Sequence, residues 1–86
     1  MSKYSINISP GAQKQIDNLP INIKSKIDNV IADILAINPY LGKALKGDLK
    51  GRYSYRVADY RIIYSILKLE LIVWIIKVMH RRESYR

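Results

Sequence analysis

Two arginines, Arg56 and Arg61, are separated by Val57-Ala58-Asp59-Tyr60. If Ala58-Asp59 is the two-residue turn of a β-hairpin, Val57 faces Tyr60, Arg56 faces Arg61 and Tyr55 faces Ile62. Like charges in direct opposition weaken a hairpin, so folding gains nothing from this pair. Either both point into solvent on an open face, or the repulsion is held ready for an anion between two guanidinium groups, each a planar fork matched to phosphate or carboxylate; the anion site is the reading taken forward. A second cluster closes the chain: His80, Arg81, Arg82, Tyr85 and Arg86. Attack of a ribose 2′-hydroxyl on its own phosphate needs a base, an acid for the leaving 5′ oxygen, and positive groups beside the oxygens that gain charge. Arg56 and Arg61 suit the last role. His80 belongs to the one side-chain type that ordinarily titrates near neutrality, and Tyr85 can stack on a base or relay a proton.

The elements that position these residues follow from periodicity. Tyr4, Ile6 and Ile8 alternate with Ser5 and Asn7 as in a short half-buried strand. Ser9-Pro10 is an N-cap followed by proline at the first helical position, and Ala12, Ile16 and Leu19 give that helix one apolar stripe before Leu19-Pro20 ends it. Ile23, Ile27, Val30, Ile31, Ile34 and Leu35 keep a 3.6-residue period in a second helix, which stops at Asn38-Pro39. Residues 40–50 carry no period and form a basic loop bearing Lys43, Lys46 and Lys50. Three strands then follow in meander spacing, roughly 51–57, 60–67 and 71–79. The order predicts one α+β domain over 1–86: an N-terminal helical hairpin packed on one face of a four-stranded, mostly antiparallel sheet (β-α-α-β-β-β). By parity, Arg52, Ser54, Arg56, Arg61, Ile63, Ser65, Trp74, Ile76, Val78 and His80 share the open face. Tyr53, Tyr55, Val57, Tyr60, Ile62, Tyr64, Ile66, Leu71, Val73, Ile75 and Met79 share the face that receives the helices.

Composition narrows the function. The 86 residues contain 15 Lys+Arg against 7 Asp+Glu, a net charge of +8, with one histidine and no cysteine. A chain this short builds a single core, and without cysteine neither a disulfide framework nor a zinc–thiolate site is available, so no metal or other cofactor is expected. The longest apolar stretch, 71–76, is far below the ~20 residues that span a bilayer. Met1-Ser2-Lys3-Tyr4 does not read as a secretory signal, so a cytoplasmic protein with no membrane association is expected. Residues 43–61 hold six basic and two acidic groups and residues 77–86 four basic and one acidic, so seven of the eight net charges fall in two short segments with all six arginines. The expected partner is an anion, foremost a nucleic acid, with Lys43, Lys46 and Lys50 on its backbone.

Two blocks carry a family likeness: residues 46–64, with Tyr55-Arg56-Val57, Asp59-Tyr60-Arg61-Ile62 and Tyr64, and residues 77–86, with Lys77, His80-Arg81-Arg82-Glu83 and Tyr85. This pattern resembles the RelE/ParE toxin superfamily of type II toxin–antitoxin systems, and the HRRE-x-Y ending resembles its RelE-like branch. The resemblance implies a toxin held by a cognate RelB-like antitoxin that is acidic and partly disordered. It further implies a metal-independent endoribonuclease that cuts mRNA on the ribosome by 2′-hydroxyl attack and so inhibits translation. The alternatives are a ParE-like, non-enzymatic inhibitor of DNA gyrase, or a basic nucleic-acid- or ribosome-binding module that cuts nothing. Carried over residue by residue, Arg61 matches the arginine at the scissile phosphate, Arg81 the C-terminal arginine of the cleavage site and Tyr85 the tyrosine that stacks on the substrate base. Lys43, Lys46, Lys50, Arg52, Ser54, Arg82 and Arg86 are then expected to contact RNA. Arg56 and Ser54 stand where some members have two lysines, one a proposed general base. Arginine does not give up its proton near neutrality, which leaves His80, the ribosome or the substrate to supply the base.

Overall fold

The computed structural model describes residues 3–85, with side chains through Glu83. Strand β1 (Ser5–Ile8) leads into helix α1 (Pro10–Asp17), whose first turn is closed as expected: Ser9 Oγ accepts from Ala12 N–H at 3.2 Å and Pro10 sits at the first helical position. Helix α2 (Ile21–Val30) starts directly after Pro20. Its last turn departs from the 3.6-residue period: Ile31–Leu35 is a π turn, with Ala36 N–H bonded to Ile31 C=O at 3.0 Å, so Ile31 and Leu35 both point into the core.

Beyond a 3₁₀ turn at Pro39–Leu41 come β2 (Lys43–Ala44), a second 3₁₀ turn (Gly47–Leu49), β3 (Arg52–Val57), β4 (Tyr60–Leu67), β5 (Ile72–His80) and a terminal 3₁₀ turn (Arg81–Tyr85). The sheet order is β1-β5-β4-β3-β2, with β1 parallel to β5 and the other pairs antiparallel. The α+β architecture agrees with the sequence expectation, but the sheet has five strands where four were expected. The extra one comes from the loop read as irregular: Lys43 pairs with Ser54 and Ala44 with Tyr53. Two residues are too few to carry an alternation.

The core lies between the helices and the inner face of the sheet, with Ala12, Ile16, Ile27 and Leu35 meeting Ile62, Tyr64, Val73 and Ile75. Tyr64 is wholly buried, and its hydroxyl donates to Pro39 C=O at 2.6 Å. Desolvation pushes that phenol up to about 12, with a backbone hydrogen bond at Gly42 pulling partly the other way. A side chain at Gly42 would run into the Tyr64 hydroxyl, so only glycine lets the chain pass here on its way to β2. Among the described residues no helix is long and apolar enough to cross a membrane.

The β4–β5 pair contains the main departure from simple parity. Tyr64 faces Ile75 and Ile63 faces Lys77, so Ile76 is an extra residue, a β-bulge. Two side chains near or on α1 satisfy it: Ser9 Oγ donates to Ile76 C=O at 2.9 Å, and Val78 N–H donates to Gln15 Oε1 at 2.9 Å. Because side-chain direction has period 2, one extra residue inverts everything after it. Val78, expected on the open face, is buried in the core, and His80 shares that inner side with its partner Tyr60. Met79, expected inside, stands opposite Arg61 on the open face.

Candidate functional site

The β3–β4 hairpin has the register that its two-residue turn implies. Val57 pairs with Tyr60, Arg56 with Arg61 and Tyr55 with Ile62. Ala58 takes φ 53°, the left-handed conformation that such a turn demands and that alanine adopts only under constraint. The two guanidinium groups are held differently. Arg56 is exposed, and its Nε donates to Ala58 C=O at 3.3 Å, tying the side chain to the turn. Arg61 Nε is buried and has no hydrogen-bond partner among the described residues. A buried donor on a permanently charged group is costly to leave unpaired, which makes it a place where an acceptor from outside binds strongly.

Arg61 stands between two clefts on the open face. The first, about 380 Å³, is bounded by Leu41, Gly42 and Lys43 on one side and by Ser54, Arg56 and Arg61 on the other. It has three cationic side chains and no carboxylate among its lining residues. The second, about 270 Å³, has apolar walls from Leu45, Leu49, Ile63 and Met79, with Arg61, Lys77 and Glu83 at its polar edge. Ser54 is buried between the two and lines both. It reaches this place because β2 brings Lys43 directly opposite it.

The terminal turn is fixed to the hairpin tip. Arg81 N–H donates to Asp59 C=O at 2.7 Å, and the Arg81 guanidinium lies 3.9 Å from the Asp59 carboxylate. Arg81 is therefore held beside the hairpin, though it lines neither cleft described above. Glu83 Oε1 accepts from His80 N–H at 3.1 Å and Arg82 N–H donates to His80 Nδ1 at 3.2 Å, which puts the proton of a neutral His80 ring on Nε2. That ring packs edge-on against Tyr60, with centroids 5.0 Å apart. The bulge at Ile76 thus turns His80 away from the arginines it was expected to join.

Of the other expected residues, Lys43 lines the first cleft and Lys46 shares a shallow basic depression with it. Lys50 is exposed at the entry to β3. Arg52 pairs with Ser65, toward the far end of β3 from Arg56, and lines neither cleft. Arg82 is exposed on the terminal turn. The Tyr85 side chain and Arg86 lie outside the described residues. Lys77 and Glu83 were not expected at the site. Their arrival depends on the bulge and on the terminal turn, neither of which has a local sequence mark. Among the described residues no group of three or more His, Cys, Asp or Glu could hold a metal ion.

Residues 6–85 match the family model described as the ParE toxin of type II toxin–antitoxin systems, and the chain belongs to that family. Among individual relatives, Toxin RelE of Mycobacterium tuberculosis is 36% identical over 84 residues, covering 96% of this chain and 87% of that protein. Toxin RelG of the same organism is 30% identical, covering 96% and 97%. The solved structure of the RelBE2 toxin–antitoxin complex from M. tuberculosis superposes with a TM-score of 0.86 at 29% identity, over 92% of this chain and 99% of that one. The RelE–RelB complex of Pyrococcus horikoshii gives 0.75 at 27% identity, over 92% and 96%. The chain is thus a type II toxin similar to RelE proteins.

Proposed function

We propose that this toxin is a ribosome-dependent endoribonuclease, acting in the cytoplasm, that cuts mRNA by attack of a 2′-hydroxyl on the adjacent phosphate. The observation that carries the reading is the buried, unpartnered Nε of Arg61, set opposite Arg56 between two clefts on an open basic face. Arg61 and Arg56 would hold the phosphate and stabilise the charge that grows on its oxygens, with cationic side chains supplying the electrostatics. Arg81, held to Asp59, would reach the same phosphate from the terminal turn. Tyr85 would stack on a substrate base, and Lys43, Lys46, Lys50, Arg52, Ser54, Arg82 and Arg86 would contact the RNA more widely.

The RelB-bound states of two structural relatives support an antitoxin partner of the same kind for this chain. The net charge of +8 favours an acidic segment that orders as it covers the basic face. Mapping mRNA ends on translating ribosomes shortly after induction tests the reading. New ends within ribosome-occupied codons are expected, and Arg61→Ala should abolish them together with growth arrest. The family model's ParE description favours inhibition of DNA gyrase as the second reading. Loss of supercoiling with intact mRNA would establish that one instead.

A further inference from the structure

The nuclease reading leaves the proton chemistry unassigned. Arg56 and Arg61 stay protonated near neutrality and cannot serve as a base. The His80 ring packs on Tyr60, on the inner side of the sheet, and its Nδ1 is already an acceptor for Arg82 N–H. One carboxylate does reach the cleft beside Arg61, and it is Glu83.

Resting on that reading, we propose that Glu83 is the general base and Lys77 the general acid of the cleavage step. Three observations converge. Glu83 lines the cleft that contains Arg61, and its carboxylate is oriented by the 3.1 Å bond from His80 N–H to Oε1. A carboxylate offers about four acceptor positions, so this bond leaves room for a hydroxyl proton. Lys77 lines the same cleft because the bulge at Ile76 sets it opposite Ile63 on the arginine face. The two groups thus line one cleft with the guanidinium assigned to the phosphate, one able to accept a proton and the other carrying protons to give.

The step balances without another reactant. The Glu83 carboxylate takes the 2′-hydroxyl proton while an oxygen lone pair forms the O2′–P bond. The P–O5′ bond breaks, its electron pair passes to O5′, and that oxygen takes a proton from the Lys77 ammonium. The products are a 2′,3′-cyclic phosphate and a 5′-hydroxyl end, with Glu83 protonated and Lys77 neutral until solvent exchanges their protons. Arg61 stabilises the phosphorane oxygens throughout.

The test uses the full chain on ribosomes programmed with a defined mRNA. Glu83→Gln keeps an amide oxygen to accept from His80 N–H, so the terminal turn is retained while the base is lost. We expect cleavage to fall about 10²- to 10⁴-fold, with co-sedimentation on ribosomes and thermal midpoint unchanged and with partial recovery in Glu83→Asp. Lys77→Gln should slow cleavage of ordinary mRNA and be restored on mRNA whose scissile 5′ oxygen is replaced by sulfur, a leaving group that departs without a proton. Glu83→Gln should gain nothing from that substitution. A wild-type protein that cleaves, alongside a Glu83→Gln variant within about threefold of it, overturns the base assignment alone, since removing a general base costs far more. A Lys77→Gln variant unaffected on either substrate overturns the acid. A wild-type protein that leaves mRNA intact overturns the nuclease reading and this proposal together.

Discussion

The β3–β4 hairpin and the β4–β5 pair bring positive side chains to the same face by different means. In the hairpin, a two-residue turn sets the register and alternation does the rest, so Arg56 and Arg61 meet one pair back from the Val57–Tyr60 pair that closes the turn. In the β4–β5 pair an inserted residue, Ile76, inverts the alternation, and Lys77 and Met79 reach the arginine face only because the insertion is held in place. Its holders come from the far side of the sheet: Ser9 caps α1 and also bonds Ile76 C=O, while Gln15 takes up the Val78 N–H. Local geometry is enough for the first region. The second needs tertiary contacts 67 and 63 residues away in sequence.

The sharpest way to break this comparison is to place a charge on each side of the inverted segment. Val78 is 4% exposed and packs in the core, so Val78→Asp buries a carboxylate without a partner and should cost about 4 kcal/mol or more, enough to unfold a small domain. Met79→Asp, on the open face, should leave the protein folded. Thermal unfolding followed by circular dichroism reads both. If Met79→Asp unfolds and Val78→Asp does not, β5 has no bulge.

The hairpin has its own anchor, and its strength is readable in alkali. Tyr64 reaches under the chain to Pro39 C=O, and its phenol is pushed up to about 12 from the ordinary 10 by desolvation. A group whose folded value is raised contributes stability that is whole below the unfolded value and disappears as pH rises through the folded one. Stability should therefore fall by roughly 3 kcal/mol between about pH 10 and pH 12, and Tyr64→Phe should remove most of that slope. Denaturant midpoints measured across this range check it. A Tyr64→Phe protein with an undiminished slope would place the alkaline transition elsewhere.

For the bulge, Gln15→Leu removes the acceptor of Val78 N–H and leaves that donor unpaired behind α1. The expected cost is about 1 to 3 kcal/mol. Ser9→Ala loses both the cap on Ala12 and the bond to Ile76 and should fall in a similar range of about 0.5 to 2 kcal/mol. Both changes support the same bulge, so the double variant should depart from additivity. Additive losses would mean that the two side chains act on separate features.

This division also explains what the sequence disclosed. The order strand, helix, helix and three strands followed from periodicity, from proline stops at Pro20 and Pro39, and from the Ser9-Pro10 start. The Arg56–Arg61 opposition followed from one turn. What stayed hidden has no local signature. β2 is two residues long, and the π turn at 31–35 differs from an α-helix by a single residue in one turn. Ile75-Ile76 reads as unbroken strand, with no glycine to mark an insertion, and Gln15 reads as one more polar helix position. His80 was placed correctly at the end of β5 but on the wrong face, because a parity count cannot detect an added residue. Lys77 went unnoticed as a cleft residue for the same reason, and Glu83 because it sits on a terminal turn that carries no period.

The smallest expected effect has an unusual sign. Arg56 stands opposite Arg61 and contributes one bond of 3.3 Å, to its own turn. Replacing it with Thr removes a like-charge pair and installs a β-branched residue in the strand, so Arg56→Thr should stabilise the fold by about 0.2 to 1 kcal/mol at low salt. The gain should shrink as salt screens the repulsion. Inorganic phosphate makes the comparison more specific, since a ligand that binds only the folded state raises its stability. Phosphate should stabilise the wild type more than Arg56→Thr, so the two melting temperatures converge as it is added at constant ionic strength. Convergence means that the repulsion is relieved by an anion bound between the arginines. A gap that responds to ionic strength alone means that the pair repels across open solvent, and the anion is held by Arg61 without it.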